Sequence, residues 1–131
     1  MEAFYSPALD KWHEFVKSQG QQVDLLKEIL AEEVVFHSPV VWTPQKGRPI
    51  TMRYLTAAAF VLGDFQYRRE FSASDGVVLE FSARVGETIV EGVDIIQFNS
   101  EGKIIDFEVM VRPARALQAL AAVMAARLSE S

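Results

Sequence analysis

The chain predicts an α+β domain whose helices gather on one face of a mostly antiparallel sheet. Three patterns carry this reading. Apolar residues recur at helical spacing in the first half, alternate with period two from Phe65 onward, and return to helical spacing after Pro113. With 131 residues, half of them hydrophobic, the chain has enough length for one buried core and too little for two ordinary domains. We therefore expect one domain over residues 1–131.

Ser6 is a candidate cap for a first helix with Pro7 in its first turn, and Leu9, Trp12, Phe15 and Val16 then share a face until Gly20. A second helix follows, with Val23, Leu26, Ile29 and Leu30 inward, and ends near Glu32. Val34-Val35-Phe36-His37-Ser38 reads as a short strand stopped by Pro39, which lacks a backbone donor. Pro44, Gly47 and Pro49 mark a loop. Pro49 opens a third helix whose face holds Ile50, Tyr54, Ala57 or Ala58, and Val61, and Gly63 closes it. Asp75-Gly76 joins strands expected at 65–73 and 77–85, and Gly86 leads into a long strand over 87–98. The turn Asn99-Ser100-Glu101-Gly102 precedes a strand at 103–111, and Pro113 starts a last helix with Leu117, Leu120, Met124 and Leu128 along one side.

Bulk composition removes several function classes. A net charge of -5, a pI near 5.0 and scattered basic residues argue against nucleic acid and against anionic lipid as partners. The absence of cysteine removes disulfides, thiolate chemistry and cysteine-held metals. Without a signal-peptide pattern or an apolar run of membrane-spanning length, a cytoplasmic location is expected.

Against this background one residue stands out. Asp94 interrupts the apolar strand Val93-Asp94-Ile95-Ile96 and shares a face with Gly92, Ile96 and Phe98. A carboxylate in a dry interior is costly unless it is paired, hydrogen-bonded, protonated or beside a cavity. Its ordinary alternative is a structural pair with an arginine such as Arg84 or Arg112.

The element order, together with Phe36-His37-Ser38-Pro39, Gly47-Arg48 at a helix start, and Gly92-Val93-Asp94-Ile95-Ile96-Gln97-Phe98 before an Asn-x-x-Gly turn, resembles the nuclear transport factor 2-like superfamily. The likeness is greatest to its SnoaL-like polyketide cyclase and ketosteroid isomerase branch and runs from Leu9 to Leu128. It implies a cystatin-like cone, in which a curved sheet wraps helices around a deep apolar pocket, and often a homodimer through the outer sheet face. It also implies that Asp94 matches the protonated aspartic acid that serves an oxyanion in ketosteroid isomerase, an enzyme that itself exemplifies a carboxyl held neutral by an apolar site. The isomerase's general base falls on Ser38, which has no basicity of its own at neutral pH. Its oxyanion tyrosine falls near Trp12 or His13, and its supporting helix tyrosine on Leu55. Steroid isomerisation by the usual residues is therefore not expected.

The expected catalytic pair is Asp94 with His13, a histidine being the natural proton-transfer partner near neutral pH. His37 is the other histidine to weigh, and both have an ordinary reading as partly exposed residues. Trp12, Phe15, Phe36, Ser38, Trp42, Tyr54, Phe107 and Val109 are the expected substrate-binding residues, although any single aromatic at such spacing can be plain core. Trp42, in the proline-bounded loop, either closes a pocket mouth or packs on a sheet edge. Arg48 reads as a solvated helix-start residue, and Arg112 as a neutraliser of an acid or anion. Two histidines without paired acids make no convincing metal site, so neither metal nor cofactor is expected.

Two functions remain open. One is a cofactor-independent isomerase, cyclase or hydratase acting on a small apolar or polycyclic molecule. The other is a non-catalytic dimeric module that binds an apolar metabolite. Ile95, Gln97, Val78, Glu80 and Ser82 give the outer sheet a mixed surface suited to a symmetric homodimer.

Overall fold

A computed structural model describes residues 3–130 and has the order α1 (Ser6–Lys17), α2 (Val23–Ile29), β1 (Leu30–His37), β2 (Gln45–Lys46), α3 (Arg48–Val61), β3 (Gly63–Ser72), β4 (Gly76–Val85), β5 (Thr88–Phe98), β6 (Ile104–Arg112) and α4 (Ala114–Ser129). The strands form one curved, unclosed sheet in the order β2-β1-β6-β5-β4-β3. Only β1 and β6 run parallel; every other neighbouring pair is antiparallel. The α+β, cystatin-like architecture expected above is the one observed.

Period two explains which side of the sheet is dry. On β4, Val77, Leu79, Phe81, Ala83 and Val85 are buried, and on β5 Val90, Asp94, Ile96 and Phe98 face the same way. Two hydrophobic clusters grow from this face. The first joins α1, α2, β1 and β6 through Leu9, Trp12, Phe15, Leu26, Phe36 and Phe107; the second joins α4 to β4 through Phe81, Ala83, Ala116 and Leu120. The clusters do not merge completely, and the space left between them is the cavity described below. Gly92 helps to shape it, since a Cβ there would lie 2.6 Å from Phe81 Cζ and would also collide with the Met110 carbonyl oxygen.

Several local expectations are corrected. Ser6 is the first helical residue rather than a cap, and no side chain caps α1. The helix start is set instead by Tyr5, whose ring stacks on Phe98 at 4.5 Å and whose hydroxyl donates to the Ala73 carbonyl at 2.9 Å. The second helix ends three residues early because Leu30 already pairs with Ile104 across β1 and β6, and Val23 is exposed. The loop from Pro39 to Pro49 contains the two-residue strand β2, paired to Val35 and Phe36. On α3 the buried residues are Thr51, Leu55 and Ala57, and the Thr51 hydroxyl returns a hydrogen bond to the Gly47 carbonyl at 2.8 Å. The buried stripe of α4 is centred on Ala116 and Leu120, one residue away from Leu117. Among the described residues, no helix is long and apolar enough to cross a membrane.

Candidate functional site

Between the two clusters lies a cavity of about 600 Å³, within the range of small-molecule sites. Trp12 from α1, Phe36 from β1, Tyr54 and Leu55 from α3, Phe81 from β4, Phe107 and Val109 from β6, and Leu120 and Met124 from α4 make its walls. Exposed Lys17, Gln19, Val40, Val41 and Asp64 form a rim. Asp94 is the one buried ionisable group on this wall and is only 5% exposed.

The carboxyl reaches this position because β5 is central in the sheet and because its alternation points residue 94 inward, opposite Leu79 on β4 and Val109 on β6. Among the described residues it has no ion pair. Arg84 lies 3.9 Å from Asp64 and Arg112 lies 3.5 Å from Glu91, so neither arginine is the expected structural partner. Tyr67 instead donates its hydroxyl hydrogen to Asp94 Oδ2 at 2.5 Å. Tyr67 Oη in turn accepts the indole N–H of Trp12 at 2.9 Å. Burial pushes the Asp94 carboxyl up to about 7, with the Tyr67 hydrogen bond pulling weakly the other way. The Tyr67 phenol is held well above its ordinary range, first by burial and then by the neighbouring Asp94 charge. The chemical consequence is an acid that keeps a large neutral population near pH 7, about half of the molecules, and can donate a hydrogen bond or a proton into an apolar space.

The remaining expected site residues divide by where their elements turn them. Trp12, Phe36, Ser38, Tyr54, Phe107 and Val109 line the same cavity as Asp94. Phe15 does not: it is completely buried in the first cluster, one helical turn beyond Trp12. Trp42 is 98% exposed in the loop after β1 and touches neither cavity nor sheet edge, which corrects both expectations for it. His13 is also corrected. The step of one residue from Trp12 turns it onto the outside of α1, where it lines a shallow surface depression with Asp10, Glu14 and Lys17. Its ring meets the edge of Tyr67 at 5.3 Å, and its Nε2 lies 3.8 Å from Glu70 Oε1. His37 points to the opposite face of the sheet and pairs with Asp106 at 3.0 Å. Arg48 stands at the start of α3, with Nη2 3.9 Å from Glu32.

Inside the rim, two polar side chains accompany Asp94. The Ser38 hydroxyl oxygen accepts the Val40 and Val41 N–H groups at 3.0 and 3.2 Å, which occupies it in organising its own loop. Tyr54 packs against Phe36 with ring centroids 5.3 Å apart, and its hydroxyl has no hydrogen-bond partner among the described residues. Tyr67 was missed by sequence reasoning. It sits on an edge strand beside Arg68, Arg69 and Glu70 and comes to Asp94 only through the pairing of β3 with β4 and β4 with β5.

His37, Asp106 and Glu108 place one potential ligand atom each within 4.8 Å of one another on the outer sheet face. All three are partly exposed, and the His37–Asp106 hydrogen bond together with the pairing of His37 opposite Glu108 across β1 and β6 accounts for their proximity.

No protein-family model matches the chain, and no curated protein matches it. Solved structures do. A steroid delta-isomerase from Pseudomonas aeruginosa is 39% identical, with a TM-score of 0.93 over 99% of this chain and 95% of that one. A protein with a cystatin-like fold from Silicibacter pomeroyi is 36% identical, with a TM-score of 0.86 over 92% of this chain and 84% of that one. The epoxide hydrolase/cyclase-like enzyme SalBIII, of pyran ring formation in the polyether salinomycin, shares the fold at 17% identity, with a TM-score of 0.65 over 85% of this chain and 94% of that one. High identity over almost the full length, joined to the cone-like sheet and its inward acid, establishes kinship: the chain belongs to the nuclear transport factor 2-like superfamily, in the SnoaL-like polyketide cyclase and ketosteroid isomerase branch.

Proposed function

We propose that this protein is a cofactor-independent enzyme of the isomerase, cyclase or hydratase type, acting on a small apolar molecule with Asp94 as its acid. One observation carries the proposal: a buried carboxyl, unpaired with any cation among the described residues and poised near neutrality, lies on the wall of a largely apolar cavity. In this reaction Asp94 transfers its proton to a substrate oxygen. Bond reorganisation or ring closure follows, and the carbon or hydroxyl that becomes acidic returns a proton to the carboxylate. Protons balance over the cycle, and no separate base is needed at Ser38. The names of the Pseudomonas relative and of SalBIII support proton-transfer chemistry on carbocyclic or oxygen-heterocyclic substrates.

The test has two stages. Mass spectrometry of molecules co-purifying with the native protein identifies the chemical class of ligand, and a panel of unsaturated steroid ketones and hydroxy-epoxides is then assayed for turnover. Asp94→Asn is expected to lower kcat by roughly 10²- to 10⁴-fold, the usual contribution of a general acid. Because the neutral form acts, kcat should fall as pH rises through about 7. A rate that instead rises through the same pH assigns Asp94 as a base and overturns this reading. Recovery of a bound ligand that the wild type never transforms favours the carrier function.

We also propose that the outer sheet face joins two copies. Val78, Val93, Ile95 and the half-exposed Met110 form an apolar strip there, bordered by the charged residues Arg68, Glu91 and Arg112. Light scattering should report a dimer, and Ile95→Lys combined with Met110→Lys should give a folded monomer. A wild type that is monomeric at micromolar concentration removes this proposal.

A further inference from the structure

Tyr67 is joined to the acid and yet does not line the cavity. Its hydrogen bonds have a fixed direction. An indole N–H can only donate, so Tyr67 Oη is the acceptor from Trp12, at 2.9 Å. The phenol's own hydrogen then has one acceptor in reach among the described residues, Asp94 Oδ2 at 2.5 Å. Oδ2 is thereby committed as an acceptor. We infer that Tyr67, aligned by Trp12, is a positioning residue that keeps the transferable proton of Asp94 on Oδ1, the oxygen left for the cavity. This inference rests on the acid role proposed for Asp94.

The surroundings fit that division of labour. β3 is an exposed edge strand in which only Phe65 and Tyr67 turn inward, and the sheet register shifts immediately after Tyr67. Tyr67 pairs with Phe81 on β4, which pairs with Gly92 on β5, two residues from Asp94. Phe65 and His13 meet the Tyr67 ring edge-on at 4.9 and 5.3 Å and hold its plane. Trp12 presents its indole to the cavity while its only polar hydrogen turns away to Tyr67, so a ligand meets an apolar surface there. The titratable groups about the acid are few. Tyr67 approaches from β3, and His13 on α1 reaches only the far side of the Tyr67 ring, with Glu70 3.8 Å beyond it; Lys17 and Asp64 stand on the cavity rim and α3 contributes Tyr54, whereas α4 and β6 present Leu120, Met124, Phe107 and Val109.

Carbon-13 NMR titration of the aspartate carboxyls tests the inference without any substrate, using Asp94→Asn to identify the resonance. Tyr67→Phe removes a donor to the charged form and should raise the Asp94 midpoint by about one pH unit. Trp12→Phe leaves Tyr67 a poorer donor and should move the midpoint in the same direction by less. Should Tyr67→Phe fail to fold, difluorotyrosine at position 67 is a stronger donor of nearly unchanged shape and should lower the midpoint. A midpoint that stays within about 0.2 pH unit in every folded variant, too little for loss of such a bond, overturns the relay. That failure is distinct from failure of the enzymatic reading, which shows as turnover that survives Asp94→Asn.

Discussion

Asparagine in place of Asp94 should make the protein more stable by about 4 kcal/mol at pH 8, an order-of-magnitude figure from a carboxyl displaced from 3.8 to about 7 at roughly 1.4 kcal/mol per pH unit. The sign follows from the direction of that displacement. The folded protein prefers the neutral acid and the unfolded chain ionises it near its ordinary value. Wild type therefore suffers no penalty below about pH 3.8, an increasing penalty from there to 7, and the full penalty above. Asparagine keeps a carbonyl oxygen to accept the Tyr67 hydroxyl and has no charge to desolvate. Urea denaturation of both proteins between pH 4 and pH 9 measures the difference, with similar slopes confirming comparable unfolding. The stability gap should be near zero at the acid end and widen towards pH 8. A gap independent of pH would mean that Asp94 titrates normally, and the acid mechanism would lose its basis. If the variant is also inactive, the carboxyl is a group whose structural cost is retained for function.

How far such a site can be read in advance depends on the distance over which each signal acts. Asp94 is conspicuous from four consecutive residues, since alternation alone sends it to the buried side of β5. Strand periodicity and the turns at Asp75-Gly76 and Asn99 to Gly102 are equally local, and they carry the order of β3 to β6. Tyr67 is different. Neighbouring arginines make its strand look like a solvated edge, and its link to Asp94 depends on the pairing of β3 with β4 and of β4 with β5. His13 and Trp12 are adjacent, and a turn of about 100° between them separates the outer surface from the cavity. Family alignment alone left these two residues interchangeable, and helix rotation decides between them. Trp42 marks the opposite limit: a loop between prolines has no periodicity, so its near-complete exposure has no signature in sequence.

Phe107→Ala should destabilise the fold by about 3 to 5 kcal/mol, the range for removing a fully enclosed phenyl ring. Phe107 is completely buried, lies 4.9 Å from the Trp12 ring and 6.1 Å from the Phe36 ring, and also lines the cavity. Its loss opens new volume directly into an existing hollow. The hole then merges with that hollow instead of being filled by a neighbour, which places the expected cost towards the upper end of that range. Trp12 loses the ring that holds its edge, and its hydrogen bond to Tyr67 loosens with it. Phe107→Leu retains most of the bulk and should cost about 1 to 1.5 kcal/mol, since a hydrophobic replacement that keeps core volume is the best tolerated. Thermal unfolding of the three proteins orders them as wild type, leucine, alanine. In the alanine variant, if it remains folded at low temperature, water entering beside Asp94 should also bring its titration midpoint down towards the ordinary carboxyl range. Unchanged stability together with an unchanged Asp94 midpoint would show that the ring wall neither supports the fold nor keeps the acid dry.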